Sequence, residues 1–152
     1  MECVILVGLP ASGKTSFYQE YLAATHDHVS KDLIRNNPRP ERRQEQLVTG
    51  ALSAGRSLAV DNTNPSAAVR APLIALARAH GAAVVGYFFP TDAKDALRRN
   101  RMREGRERVP DVAIFTTRKR LEPPAYAEGF DRLYVVTLDE TARAFVVRPQ
   151  TA

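Results

Sequence analysis

The sequence predicts an α/β fold, helices packed around a parallel sheet, and three features of the 152-residue chain carry that prediction. Short apolar runs rich in β-branched residues alternate with longer segments whose apolar residues recur at helical spacing. The runs are nearly continuous rather than alternating, as strands buried on both faces require. The first run stops at a glycine-rich turn that opens directly onto a helical pattern.

Taken in order, residues 3–8 read as a buried strand that ends at Gly8. Residues 15–24 read as a helix, with Phe17 above Tyr21 and Tyr18 above Leu22 on its apolar face. Residues 28–32 read as a short second strand, 41–54 as a helix stopped by Gly55, and 57–61 as a third strand. Asn64 reads as the N-cap of the next helix, with Pro65 at its first position. That helix carries Val69, Leu73, Leu76 and His80 on one side, and Pro72 is expected to kink or divide it. Residues 82–89 read as a near-continuous apolar strand, followed by helices over 92–104 and 110–121, the latter ended by Pro123 and Pro124. A strand over 133–138 closes the sheet, with 144–147 as a possible further edge. Without repeats or linkers, residues 1–152 are expected to form a single domain.

Composition narrows the partners. The chain is 44% hydrophobic and 26% charged, which excludes disordered, collagen-like and disulfide-stapled classes. Cys3 is the single cysteine, so neither an intrachain disulfide nor a cysteine zinc site can form. No apolar run is long enough for a signal peptide or a spanning helix, so a cytoplasmic location without a membrane partner is expected. The net charge of +5 favours anionic partners. Much of it is concentrated between residues 98 and 108, where six arginines stand against two glutamates.

The most informative segment is Gly8-Leu9-Pro10-Ala11-Ser12-Gly13-Lys14-Thr15. It fits the phosphate-loop (Walker A) pattern in full, between a strand and a helix. Glycines let successive backbone N–H groups converge on one anion, and the helix N-terminus adds its positive end. Gly8, Ala11, Ser12, Gly13, Lys14 and Thr15 are therefore expected to bind ATP, with Lys14 at the β- and γ-phosphates and the Thr15 hydroxyl as a ligand of Mg²⁺. In open α/β sheets the chemistry gathers beyond the carboxyl ends of the strands. Asp32 and Asp61 each end a predicted strand there, Arg35 follows Asp32 by three residues, and Arg99 and Arg103 are four apart on a predicted helix. An Asn-Lys-x-Asp guanine motif is missing, and Asp61 is followed by Asn62 rather than by a glutamate that could activate water. Both facts turn the reading from GTPase or motor ATPase toward kinase.

The order of these pieces resembles the polynucleotide 5′-kinase family, and most closely the kinase half of the animal polynucleotide kinase/phosphatases. The resemblance is carried by the phosphate loop, Asp32-Leu33-Ile34-Arg35, Val60-Asp61-Asn62-Thr63-Asn64-Pro65, Arg99-Asn100-Arg101-Met102-Arg103-Glu104, and Ala127-Glu128-Gly129-Phe130-Asp131. It implies a P-loop kinase fold with a parallel sheet in the order 2-3-1-4-5 and an Arg-rich helical lid. It implies transfer of the ATP γ-phosphate to 5′-hydroxyl ends of DNA or RNA. Residue by residue, it makes Asp32 the general base, Arg35 the grip on the acceptor phosphate, Asp61 and Asn64 the wall supporting the acceptor, and Arg99 and Arg103 the lid arginines over the ATP phosphates. No protein partner is expected. The family's phosphatase half has no counterpart, and residues 36–43, with Pro38 and Pro40, do not match. Two alternatives remain open at this point: a P-loop kinase for a small hydroxylated metabolite or antibiotic, and a nucleotide-binding module without transfer activity.

Overall fold

The computed structural model describes residues 1–151. Its strands are β1 (Glu2–Gly8), β2 (Asp27–Val29), β3 (Leu58–Val60), β4 (Ala83–Phe89), β5 (Arg132–Asp139) and β6 (Ala144–Pro149). Its α-helices are α1 (Lys14–Phe17), α2 (Pro40–Ser53), α3 (Ala67–Ala79), α4 (Ala93–Arg101) and α5 (Asp111–Arg120). The sheet order is β2-β3-β1-β4-β5-β6. The first five strands are parallel and follow the expected order, while β6 turns back antiparallel on β5, pairing Val136 with Val147. The sheet is therefore mixed rather than purely parallel.

Register decides where the site lies. Ile5 pairs with Val60, and Val29 pairs with Val60 from the other side. The carboxyl ends of β1, β2 and β3 thus lie side by side, and the phosphate loop, Ser30 and Asp61 emerge together. Successive side chains of β1 face opposite ways. Cys3, Ile5 and Val7 join a core with Val48, Leu52, Leu73 and Ile74 of α2 and α3. Val4 and Leu6 join Phe17, Tyr18 and Leu22 on the other face. Leu9, Ala96 and Ile114 form a smaller core that anchors α4 and α5 under the phosphate loop. Cys3 is fully buried, and burial pushes its thiol up to about 12.

Several local expectations are corrected. The first helix has only four α-helical residues and continues as a π-helical turn, Tyr18–Leu22. Ser66, not Asn64, caps α3, its side chain accepting from Val69 N. Asn64 instead takes a left-handed conformation (φ 43°), which asparagine tolerates. Its amide donates to Leu6 O at 2.7 Å and Val60 O at 3.2 Å, satisfying carbonyls at the ends of β1 and β3. Pro72 does not divide α3, because Leu73, Ile74 and Ala77 are buried around it and hold the helix on the sheet. The helix expected over 92–104 stops at Arg101. The buried Asn100 donates to Val109 O at 2.7 Å and accepts from Val109 N at 3.0 Å, folding the intervening chain back against the helix. Among the described residues, no helix is long and apolar enough to cross a membrane.

Candidate active site

The loop between β1 and α1 is shaped by two left-handed residues, Ala11 (φ 63°) and Gly13 (φ 99°). No side chain caps the helix that follows, so the amides of its first turn are not taken up by a local carboxylate or hydroxyl. The loop is also tied to the next crossover, Gly8 N donating to Thr63 O at 3.1 Å. Lys14 is buried, and its ammonium donates to Gly8 O (3.0 Å), Leu9 O (2.6 Å) and Ser12 Oγ (3.3 Å). Burial lowers its pKa to about 8, with Arg103 acting in the same direction and Asp61 and Asp32 opposing it.

A cleft of about 600 Å³ opens in front of this loop. One wall is the phosphate loop and the start of α1, with Ala11, Ser12, Lys14 and Thr15. The floor is the ends of β2 and β3, with His28, Ser30, Asp61 and Asn62. The far wall is the 3-10 turn Lys31–Ile34 with Arg35, and Arg103, Glu107 and Val109 close the top.

Asp61 is buried, and one oxygen, Oδ2, takes two donors: Thr15 Oγ1 at 2.7 Å and His28 Nε2 at 2.8 Å. This carboxylate thus stands on the phosphate-loop side of the cleft. Asp32 differs sharply. Its side chain is 76% exposed, and Oδ1 accepts from Arg35 Nη2 at 3.1 Å. The Asp32 amide donates to Ser30 Oγ at 3.2 Å, which fixes the turn that carries it. Lys31 N donates to Asn62 Oδ1 at 2.9 Å, and Asn62 Nδ2 donates to Gln44 Oε1 at 2.7 Å, so β2, β3 and α2 are laced together beneath the turn.

The cleft therefore brings together Ala11, Ser12, Lys14, Thr15, Asp32, Arg35, Asp61 and Arg103. Asn64 lies below it with its amide spent on strand carbonyls. Arg99 lies to one side. Because α4 ends at Arg101, Arg99 and Arg103 do not project together from one helix. Arg103 Nη1 donates to Glu107 O at 3.3 Å in the cleft. Arg99 Nη2 instead meets Glu140 at 3.0 Å in the β5–β6 turn, alongside Arg98. Arg99 Nη1 is buried with no hydrogen-bond partner among the described residues.

The contacts of His28 with Asp61 and of Arg70 with Glu128 were not read from the sequence. His28 has no metal-ligand spacing to a second histidine and reads as structural or exposed, yet it lies in the cleft on Asp61. It opens the strand expected over 28–32, and nothing local to it points to Asp61. Arg70 and Glu128 form a buried pair beneath Asn64, Arg70 Nη1 donating to Asn64 O at 2.9 Å. A hydroxyl and a buried carboxylate are hard oxygen donors, so Thr15 and Asp61 fit Mg²⁺ held mainly by nucleotide phosphates. Among the described residues, no group of three or more His, Cys, Asp or Glu could hold a metal without such help.

Comparison with known proteins bears on the family and the fold. A family model described as an AAA domain matches residues 3–124. A protein of Acanthamoeba polyphaga mimivirus, provisionally named a bifunctional polynucleotide phosphatase/kinase, is 29% identical over 146 residues, covering 90% of this chain and 33% of that protein. The bifunctional polynucleotide phosphatase/kinase of Schizosaccharomyces pombe is 24% identical over 133 residues, covering 85% of this chain and 32% of that protein. The chain thus spans about a third of the length of these relatives. Chaetomium thermophilum Kti12 in complex with ADP-AlF3 matches with a TM-score of 0.66 at 15% identity, covering 91% of this chain and 90% of that one. A gluconokinase from Sinorhizobium meliloti 1021 matches with a TM-score of 0.64 at 18% identity, covering 91% of this chain and 83% of that one. At such identities the likeness establishes the P-loop kinase fold.

Proposed function

The chain belongs to the AAA domain family, and from that premise we propose that it is an ATP-dependent kinase that phosphorylates 5′-hydroxyl ends of DNA or RNA. The observation that carries this reading is the division of labour between two carboxylates in one cleft. Asp61 is buried against Thr15, whereas Asp32 is open to an incoming alcohol and paired with Arg35. The curated relatives, named for polynucleotide phosphatase and kinase activities, favour a nucleic-acid acceptor.

In this reading the loop amides and Lys14 hold the triphosphate, and Lys14 leaves its loop carbonyls for the β- and γ-phosphate oxygens. Mg²⁺, held with the phosphates at Thr15 and Asp61, would offset negative charge on those oxygens. Asp32 accepts the proton of the 5′-hydroxyl as the new O–P bond forms. The bond from the γ-phosphorus to the bridging oxygen breaks, and ADP leaves. Arg35 binds the acceptor's first phosphate, Arg103 covers the transferring group, and Arg99 joins it if nucleotide draws it from Glu140. Incubation with γ-labelled ATP and 5′-hydroxyl DNA, RNA and small alcohols tests the proposal. Label on the oligonucleotides is expected, and label on small alcohols alone refutes it.

A second reading, phosphorylation of a small hydroxylated metabolite, is favoured by the likeness to a gluconokinase. It keeps Asp32 as base and makes no use of Arg35 as a phosphate grip.

A further inference from the structure

Tyr18, His28 and Asp61 come from three different elements and meet behind Thr15. Along β2 the side chains alternate, so Val29 enters the core beneath α2 and α3 while His28 faces the α1 side. There its ring lies flat on Tyr18, with centroids 4.0 Å apart and planes at 15°. Tyr18 is itself fixed, its hydroxyl donating to His26 O at 2.6 Å. The edge of the imidazole then presents Nε2 to Asp61 Oδ2 at 2.8 Å. An ionised carboxylate only accepts, so Nε2 carries the hydrogen. Thr15 and Tyr18 are three apart and share one face of the helical turn. One helix thus supplies both the hydroxyl that donates to Asp61 and the ring that supports the other donor.

The side chain of Asp61 is 4% exposed, so solvent does little to fix its orientation. Its two carboxylate oxygens are set by the donors around it. With Thr15 alone, the carboxylate could pivot about that single hydrogen bond. The second donor removes the freedom, much as outer partners orient ligands at metal centres.

We propose that His28 is a positioning residue that locks the Asp61 carboxylate in the orientation in which it and Thr15 receive a metal-bound nucleotide. The proposal rests on the kinase reading for the nucleotide site but not on the identity of the acceptor. His28 acts through Asp61 and is not assigned contact with nucleotide.

Binding of a fluorescent methylanthraniloyl-ATP, titrated once with Mg²⁺ and once with EDTA, separates these roles without any transfer reaction. In the wild-type protein Mg²⁺ is expected to tighten binding. His28→Phe keeps a ring on Tyr18 but loses the donor. It should weaken the Mg²⁺-dependent affinity about 10-fold while the EDTA affinity stays within about twofold. His28→Gln restores an N–H donor at similar reach and should recover the affinity to within about threefold. Tyr18→Leu removes the supporting ring and should weaken the same quantity by a smaller factor. Equal Mg²⁺-dependent affinities in the wild type and His28→Phe overturn the proposal, as does a His28→Gln protein no better than His28→Phe. Absence of any Mg²⁺ effect in the wild type overturns it together with the metal-site reading. Failure to label every acceptor, with the Mg²⁺ effect intact, removes only the kinase function.

Discussion

Arg70 and Glu128 form a two-point ion pair in the interior, Nε to Oε1 at 2.8 Å and Nη2 to Oε2 at 3.0 Å, with no exposure of the arginine side chain. The third face of the guanidinium donates to Asn64 O, and Glu128 Oε2 also accepts from Ala125 N at 2.9 Å. The pair therefore clamps the corner that follows Asp61 onto the turn before β5. Removing one partner strands a buried charge. Glu128→Gln should lower unfolding stability by about 3–5 kcal/mol, read as a fall in urea midpoint at constant slope.

That pair also shows where sequence reasoning stops. The phosphate loop was legible because every residue it needs lies within eight positions, and β1 and β4 because continuous apolar runs mark doubly buried strands. Nothing local marks Arg70, because its partner lies 58 residues downstream. His28 stayed hidden for the same reason, with Asp61 33 residues away. Asn64 was misread because Asn-Pro is a sound local signal for a helix start. The strand carbonyls of Leu6 and Val60 outbid it, and only the assembled sheet brings them near. The stop of α4 at Arg101 depends on the side chain of Asn100 reaching Val109, which helix propensity does not contain.

Lys14 sets a pH dependence for nucleotide binding. Burial holds its ammonium at about 8 in the free protein, and a triphosphate favours the charged form. Below that pH the lysine is already protonated and affinity should be flat. Above it, binding must draw a proton from solvent, and the association constant should fall by up to about tenfold per pH unit. Calorimetry in buffers of different ionisation enthalpy should find proton uptake near zero at pH 7 and rising toward one by pH 9. Lys14→Arg, which stays charged, should show no such inflection even if it binds more weakly.

Gly13 faces two separate obstacles to substitution, and a double variant tells them apart. Its φ of 99° is left-handed, and an added Cβ would stand 3.2 Å from Phe145 Cε1. Phe145 comes from β6 and packs edge-on against Phe17, at 5.5 Å and 88°. Gly13→Ala should weaken ATP binding at least tenfold and cost about 1–2 kcal/mol of stability. Shortening the neighbour in Gly13→Ala/Phe145→Leu relieves only the contact. If backbone conformation is the main obstacle, ATP affinity stays low in the double variant. Full recovery would assign the cost to the ring.

Asp32 and Arg35 touch each other at the open wall of the cleft, and an exposed pair of this kind contributes little to stability. Substitutions there should therefore report on chemistry rather than folding. Asp32→Ala should reduce transfer about 10²–10⁴-fold, the usual reach of general-base loss, with ATP affinity changed less than twofold. Arg35→Ala should act on the acceptor instead, raising its KM while leaving that of ATP unchanged. If Arg35 binds one acceptor phosphate, its removal also takes away one released counterion. The slope of log affinity against log salt should then become shallower by about one. A rise in the ATP KM with an unchanged salt slope would place Arg35 on the nucleotide and leave the acceptor's grip to another cation of the cleft.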